Sequence, residues 1–185
     1  MNVDEAIETR RAYRALTRTD ITNDIITKLG RAAQLAPSCF NKQPWQFIFI
    51  SDGKKLKELN SALSEKNSWA AEASLLIAVF TEAGLDCRLK DGRDYYLYDT
   101  GIACGFIMLQ AVELGLVAHP MAGFDQDSAK KILEIPESMK LINIIAVGRH
   151  SENYKELLDE QQAAIEENRP DRKTLSDFIY VDSYS

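Results

Sequence analysis

The chain has 185 residues, 45% apolar and 27% charged, with a net charge of -6 from 22 basic and 28 acidic side chains. That length and composition suit one soluble globular domain whose core needs no disulfide or metal staple, and the acidic balance gives no footing for nucleic acid. Cys39, Cys87 and Cys104 show neither metal nor redox spacing, which points to a reducing cytosol. The segment MNVDEAIETRR lacks an apolar h-region and no apolar run reaches bilayer length, so a cytoplasmic protein with no membrane association is expected.

In chain order, Val3, Ala6 and Ile7 predict a short helix over residues 3 to 9. The basic run Arg10, Arg11 and Arg14 follows at once. Thr22 is suited to cap a second helix, with Ile21 and Ile26 as a hydrophobic staple, and Pro37 should stop it. Residues 37 to 45, PSCFNKQPW, read as a polar loop of defined shape, and Gln46 to Ile50 as a strand. Asp52 to Lys66 is expected to be helical, with Leu56, Leu59 and Leu63 on one face. Leu75 to Phe80 reads as a strand buried on both sides.

Residues 82 to 94 carry many charges and two glycines and are the candidate lid. Tyr95 to Leu114 predicts the longest helix, capped by Gly115. It is apolar nearly all round, and Gly101 and Gly105 suit close helix packing, either within the chain or at a dimer seam. Residues 117 to 125 read as a turn, Ser128 to Leu133 as a short helix and Leu141 to Val147 as a third strand. The polar stretch from Ser151 onward, unstable alone, should dock on something, a partner chain being one candidate. Helices first, then strands separated by helices, indicate α+β or α/β.

Few chemistries are encoded. His119 and His150 lie far apart with no neighbouring carboxylate motif, which argues against a histidine-ligated zinc site and a Ser-His-Asp triad. There is no G-x-G-x-x-G and no P-loop. Cys39 reads as a small packed side chain or, less simply, a nucleophile. Two features remain. RRAYR, residues 10 to 14, sets three guanidinium groups within five residues, a fork for phosphate oxygens or else a solvated basic helix end. APSCFNKQPWQF, residues 36 to 47, offers Asn41 and Gln43 amides that suit the edge of a flat heterocycle, or a turn that satisfies its own backbone.

In combination, RR-x-x-R and A-P-S-x-x-N-x-Q-P-W resemble the nitroreductase family of FMN enzymes. LYDTGIACGFIMLQAVELGL, PMAGFD, LINIIAVG and RPDRKTLSDFI are similar to later family segments and run in family order. The resemblance implies an α+β fold with a central mixed sheet flanked by helices, in an intertwined homodimer. It implies a single FMN-binding domain over residues 1–185, with 151–185 as a C-terminal arm packed on the partner chain. Arg10, Arg11 and Arg14 would hold the FMN phosphate, joined by Arg172 and Lys173. Pro37, Ser38, Cys39 and Asn41 would reach the flavin of the other chain, with Gln43 supporting the loop or meeting the ring. Ala122 and Gly123 would set backbone against the ring. Ala12 and Ala122 depart from the pattern, where many members carry serine and glutamate.

The implied activity is ping-pong transfer of hydride from NAD(P)H through flavin N5 to a small acceptor such as a nitroaromatic, quinone or enone, with no catalytic side chain and no metal. The alternatives are a dehalogenase or flavin-consuming enzyme of the same superfamily, or a flavin-binding protein without turnover.

Overall fold

The computed structural model describes residues 1–184. Seven α-helices and five strands are found among them: α1 (Val3–Thr9), β1 (Leu16–Thr17), α2 (Asn23–Gln34), β2 (Gln46–Ile50), α3 (Gly53–Asn60), β3 (Leu75–Thr81), α4 (Tyr95–Glu113), β4 (Val117–Met121), α5 (Gln126–Leu133), β5 (Lys140–His150), α6 (Tyr154–Leu157) and α7 (Glu160–Glu167). The architecture is α+β, as expected. The sheet runs β1-β5-β3-β2, with β4 also paired to β5. Every pairing is antiparallel; the parallel component of a mixed sheet has no pair among the described residues of one chain.

Alternation along the two central strands explains why their middles are apolar on both faces, with Asn143 the polar exception in β5. Leu75, Ile77 and Val79 of β3 and Ile145 and Val147 of β5 join Leu29, Ala33, Ala103, Ile107 and Ala111 in one core. Leu76 and Ala78 of β3 and Ile144 and Ala146 of β5 join Leu56, Leu59, Trp69 and Ala129 in a second. A strand with helices over both faces can spare few polar positions. α2 packs on α4 in the first layer, and α3 meets α5 in the other.

Thr22 caps α2 by accepting the Ile25 N–H at 3.3 Å. Gly115 closes α4 at φ +69°, in a Schellman arrangement in which the Leu116 N–H reaches Ala111 O at 2.8 Å.

Two predicted boundaries fail. The helix expected over Asp52 to Lys66 stops at Asn60; the chain turns so that Leu63 bridges Phe124, and Glu65–Glu72 continues as 3-10 helix. The turn expected over residues 117 to 125 begins instead as β4. Pro120 lies opposite Ile145 there, tolerable because β4 is an edge strand that leaves the proline nitrogen without a required partner. No helix of the described residues is long and apolar enough to cross a membrane.

Candidate functional site

The RRAYR segment leaves α1 and crosses the open side of β4. Its far wall is α7. Glu166 is buried and accepts the Arg14 N–H at 2.7 Å. Its other oxygen meets His150 Nε2 at 3.1 Å, and that ring stacks on Tyr13 at 3.8 Å. Arg11 donates to Ile165 O at 2.7 Å and lies over the Tyr13 ring. Arg169 donates to the carbonyls of Glu8 and Arg10. One carboxylate and three arginine–carbonyl hydrogen bonds thus fasten the basic segment and the end of α1 to the C-terminal region.

A cleft of about 200 Å³ results, lined by Arg10, Arg11, Arg14, Arg169 and Arg172 together with Ala12, Tyr13, His119, Ile165, Glu166 and Pro170. Burial, then the guanidinium groups of Arg169 and Arg172, hold Arg10 below its ordinary pKa. Cations gathered this closely, with the buried Glu166 already engaged, suit a multiply charged anion.

Beside it, with Arg14, His119 and Ile165 lining both, lies a second space of about 480 Å³ bordered by Ser64, Asn67, Pro120, Met121, Ala122, Gly123 and Gln162. Asn67 donates to Gly123 O at 2.9 Å, and the Ser64 N–H donates to the same oxygen at 2.9 Å. A Cβ at Gly123 would stand 2.5 Å from Ser64 Oγ and 2.9 Å from Asn67 Nδ2, so any other residue there must displace those side chains. His119 is buried, its Nδ1 3.0 Å from Tyr13 O. A carbonyl only accepts, so Nδ1 carries the proton and Nε2 the lone pair. Burial, aided by Arg14 and Arg10, pushes its pKa down to about 4 despite that hydrogen bond. The ring is neutral at neutral pH.

The structure therefore places Arg10, Arg11, Arg14 and Arg172 around one space and Ala122 and Gly123, with Arg14, around the space beside it. Lys173 is exposed and stands outside the lining of both. Pro37, Ser38, Cys39, Asn41 and Gln43 border neither space. Their loop lies apart in the same chain, against α4, where Asp99 accepts the Cys39 N–H at 2.7 Å. Ser38 Oγ accepts the Gln43 N–H at 2.9 Å, and the Gln43 amide donates to Asn41 Oδ1 at 3.1 Å. Phe40, Asn41 and Gln43 all adopt positive φ, and Phe40 is 86% exposed.

Two readings of single residues change. The cysteines are not all free, for Cys39 and Cys87 form a disulfide across 48 residues of sequence. Cys39 therefore offers no free thiol to a cofactor, and a reducing compartment loses its basis in unpaired cysteines. His150 does have a carboxylate neighbour, Glu166, supplied from 16 residues away. Sequence reasoning missed Arg169, Glu166 and His119 as parts of the site and left Asn67 aside. Arg169 lay within the R-P-D-R-K segment that carried the resemblance; the others had no local signal.

Residues 7–93 and 62–149 match the Nitroreductase family. A protein of Archaeoglobus fulgidus assigned as NADH dehydrogenase/NAD(P)H nitroreductase is 30% identical over 146 residues, covering 77% of this chain and 82% of its own. The iodotyrosine deiodinase of Haliscomenobacter hydrossis is 28% identical over 172 residues, 77% of each chain. A solved oxidoreductase containing FMN superposes with a TM-score of 0.87 at 27% identity, covering all of this chain and 94% of the other. With its basic cleft, the glycine-lined space beside it and a family match over residues 7–149 that includes the RRAYR segment, Ala122 and Gly123, this chain belongs to the nitroreductase family and is an oxidoreductase.

Proposed function

We propose that the cleft binds FMN and that the enzyme passes electrons from NAD(P)H to a small acceptor such as a nitroaromatic, quinone or enone. The observation that carries this reading is the convergence of five arginines on one space beside another that is lined by Ala122 and Gly123. The donor set fits the cofactor: a fork of guanidinium groups for the phosphate, and a backbone run free of bulky side chains for a flat ring system. Arg10, Arg14 and Arg172 would hold the phosphate, and Ala122, Gly123 and Asn67 the ring. Bound there, FMN supplies the two-electron redox chemistry of the cleft.

The chain's own residues position and insulate. Arg169 and Glu166 hold the basic segment in place. The neutral His119 adds no charge to the cleft, and its Nε2 is left as an acceptor. Ala122 presents no carboxylate, so the mouth of the cleft is not closed to anionic acceptors.

The same reading makes the protein a homodimer, with residues 151–185 as an arm on the partner. It is supported by the apolar groups one chain leaves uncovered. Tyr98 and Phe106 on α4 are exposed, as are Leu175, Phe178, Ile179 and Val181. The strained loop at Phe40 is equally uncovered, and strain of this kind gathers at ligand clamps. It would complete the cleft of the other chain through Pro37, Ser38 and Asn41.

Anaerobic mixing with NADH and with NADPH tests the reading. Bound flavin should bleach, and a panel of nitroaromatics and quinones should restore its colour. Colourless protein that takes up no FMN on titration overturns it. A second reading, reductive dehalogenation, is favoured by the deiodinase relative; a halogenated tyrosine in the panel, with halide release measured, decides between them.

A further inference from the structure

The Cys39–Cys87 bond joins two segments that nothing regular connects. Cys39 opens a short 3-10 turn after Pro37 and Ser38. Cys87 lies in the stretch between β3 and α4, where the 3-10 turn Ala83–Leu85 is the one regular element. Both cysteines are half-exposed, unlike Cys104, which is buried and whose thiol burial pushes up to about 11.

Two carboxylates attend the bond. Asp86 Oδ1 accepts the Cys87 N–H at 2.7 Å, while its Oδ2 is buried without a hydrogen-bond partner. A carboxylate oxygen of Asp86 lies within 4.8 Å of both sulfurs. Asp99, also buried, holds the Cys39 N–H on the other side. Burial raises the pKa of Asp99, Asp86 adds to the rise, and the Cys39 N–H opposes it. Neither acid has a cation partner among the ion pairs of the described residues. An orphaned carboxylate oxygen beside a half-exposed disulfide does nothing for a passive staple, and leaving it unpaired costs stability. It is, however, the group that thiol–disulfide exchange needs to carry a proton.

We propose that Cys39–Cys87 is a redox-active disulfide, opened by a dithiol reductant, with Asp86 as its proton carrier. A thiol of the reductant attacks one cysteine sulfur, giving its proton to the Asp86 carboxylate, and the S–S bond breaks as a mixed disulfide forms. The departing cysteine thiolate takes that proton from Asp86. The second thiol of the reductant then attacks the mixed disulfide, again giving its proton to Asp86, and leaves as the reductant's own disulfide. The remaining cysteine thiolate takes that second proton. The protein gains two electrons and two protons. Oxidation runs the sequence backwards, with Asp86 accepting the proton. The consequence for the cleft, which rests on the FMN reading above, is that opening the bond frees the Pro37–Gln43 loop from residues 86–94 and weakens the flavin site it completes in the other chain.

The test uses the full-length holoprotein. Oxidised protein is titrated with dithiothreitol at several pH values, trapped with a thiol alkylating agent and read by mass, while flavin absorbance is followed in the same samples. Labels should appear at Cys39 and Cys87 and not at Cys104 in the folded protein. Asp86→Asn should slow opening roughly tenfold or more near neutral pH and flatten its pH dependence, and Asp86→Glu should restore part of the rate. Labelling of Cys39 and Cys87 only after unfolding marks the bond as a structural staple and overturns the proposal. Equal opening rates in wild type and Asp86→Asn overturn the role of Asp86. A yellow protein whose bond resists the dithiol fails this inference alone, and a colourless protein whose bond opens fails the flavin reading alone.

Discussion

Gly123 accepts hydrogen bonds from Asn67 and Ser64 while leaving no room for a methyl group. Gly123→Ala should therefore push Ser64 and Asn67 aside and lower stability by about 1–3 kcal/mol, measured by urea denaturation; wild-type stability would show that the cradle is not tight. His119 makes a separate claim about pH. Its folded pKa of about 4 lies below the ordinary 6.5, so across that window the unfolded chain binds the extra proton. Stability contributed by the neutral ring is complete above 6.5 and is lost as pH falls toward 4. At roughly 1.4 kcal/mol per pH unit the full loss is on the order of 3 kcal/mol. His119→Gln should flatten the acid limb of a stability–pH curve measured on apoprotein; an unchanged limb assigns it to other groups. Among the basic residues, Arg10→Ala and Arg172→Ala should each weaken FMN roughly tenfold or more by removing a charge-assisted bond, while Lys173→Ala, outside the cleft lining, should leave affinity near wild type in a fluorescence titration. Equal losses in all three would point to a diffuse basic field.

At the scale of elements, α7 acts as a clasp. Glu166 links it to Arg14 and His150, and Ile165 O receives Arg11. Glu166→Ala leaves the half-buried Arg14 N–H without its acceptor, a cost of about 1–3 kcal/mol, and should loosen the RRAYR segment as well. Hydrogen exchange over residues 10–14 should speed up and FMN affinity should fall together. Glu166→Gln keeps an acceptor oxygen and should be milder on both readouts. A loss of stability with unchanged exchange at residues 10–14 would show that α7 supports the fold without shaping the cleft.

For the whole molecule, the homodimer reading has the exposed apolar groups of α4 and of the stretch from Leu175 to Val181 covered by the partner chain. Light scattering should give a dimer at all concentrations where the protein is folded, because interfaces of this apolar character are obligate. Removing residues 171–185 should uncover the partner face and promote aggregation or dissociation. A folded, flavin-loaded monomer would refute the shared-site reading.

The sequence alone determined what local patterning controls. Thr22 and Gly115 punctuate α2 and α4 because capping is settled within a few residues, LLIAVF announces a strand covered on both faces because no polar position interrupts it, and LINIIAV announces another strand despite Asn143. RR-x-x-R and P-S-x-x-N-x-Q-P-W pointed to the cofactor class through the resemblance, since side-chain chemistry is written in the chain. Only the tertiary structure decided the rest. The contacts of Leu63 with Phe124, Glu166 with Arg14, Asn67 with Gly123 and Cys39 with Cys87 join residues that are 48 to 152 positions apart wherever a hydrogen bond or disulfide is involved. Such pairs have no periodicity to betray them; they exist because the antiparallel sheet and its two helical layers bring distant backbone together, and burial then selects which polar groups must meet.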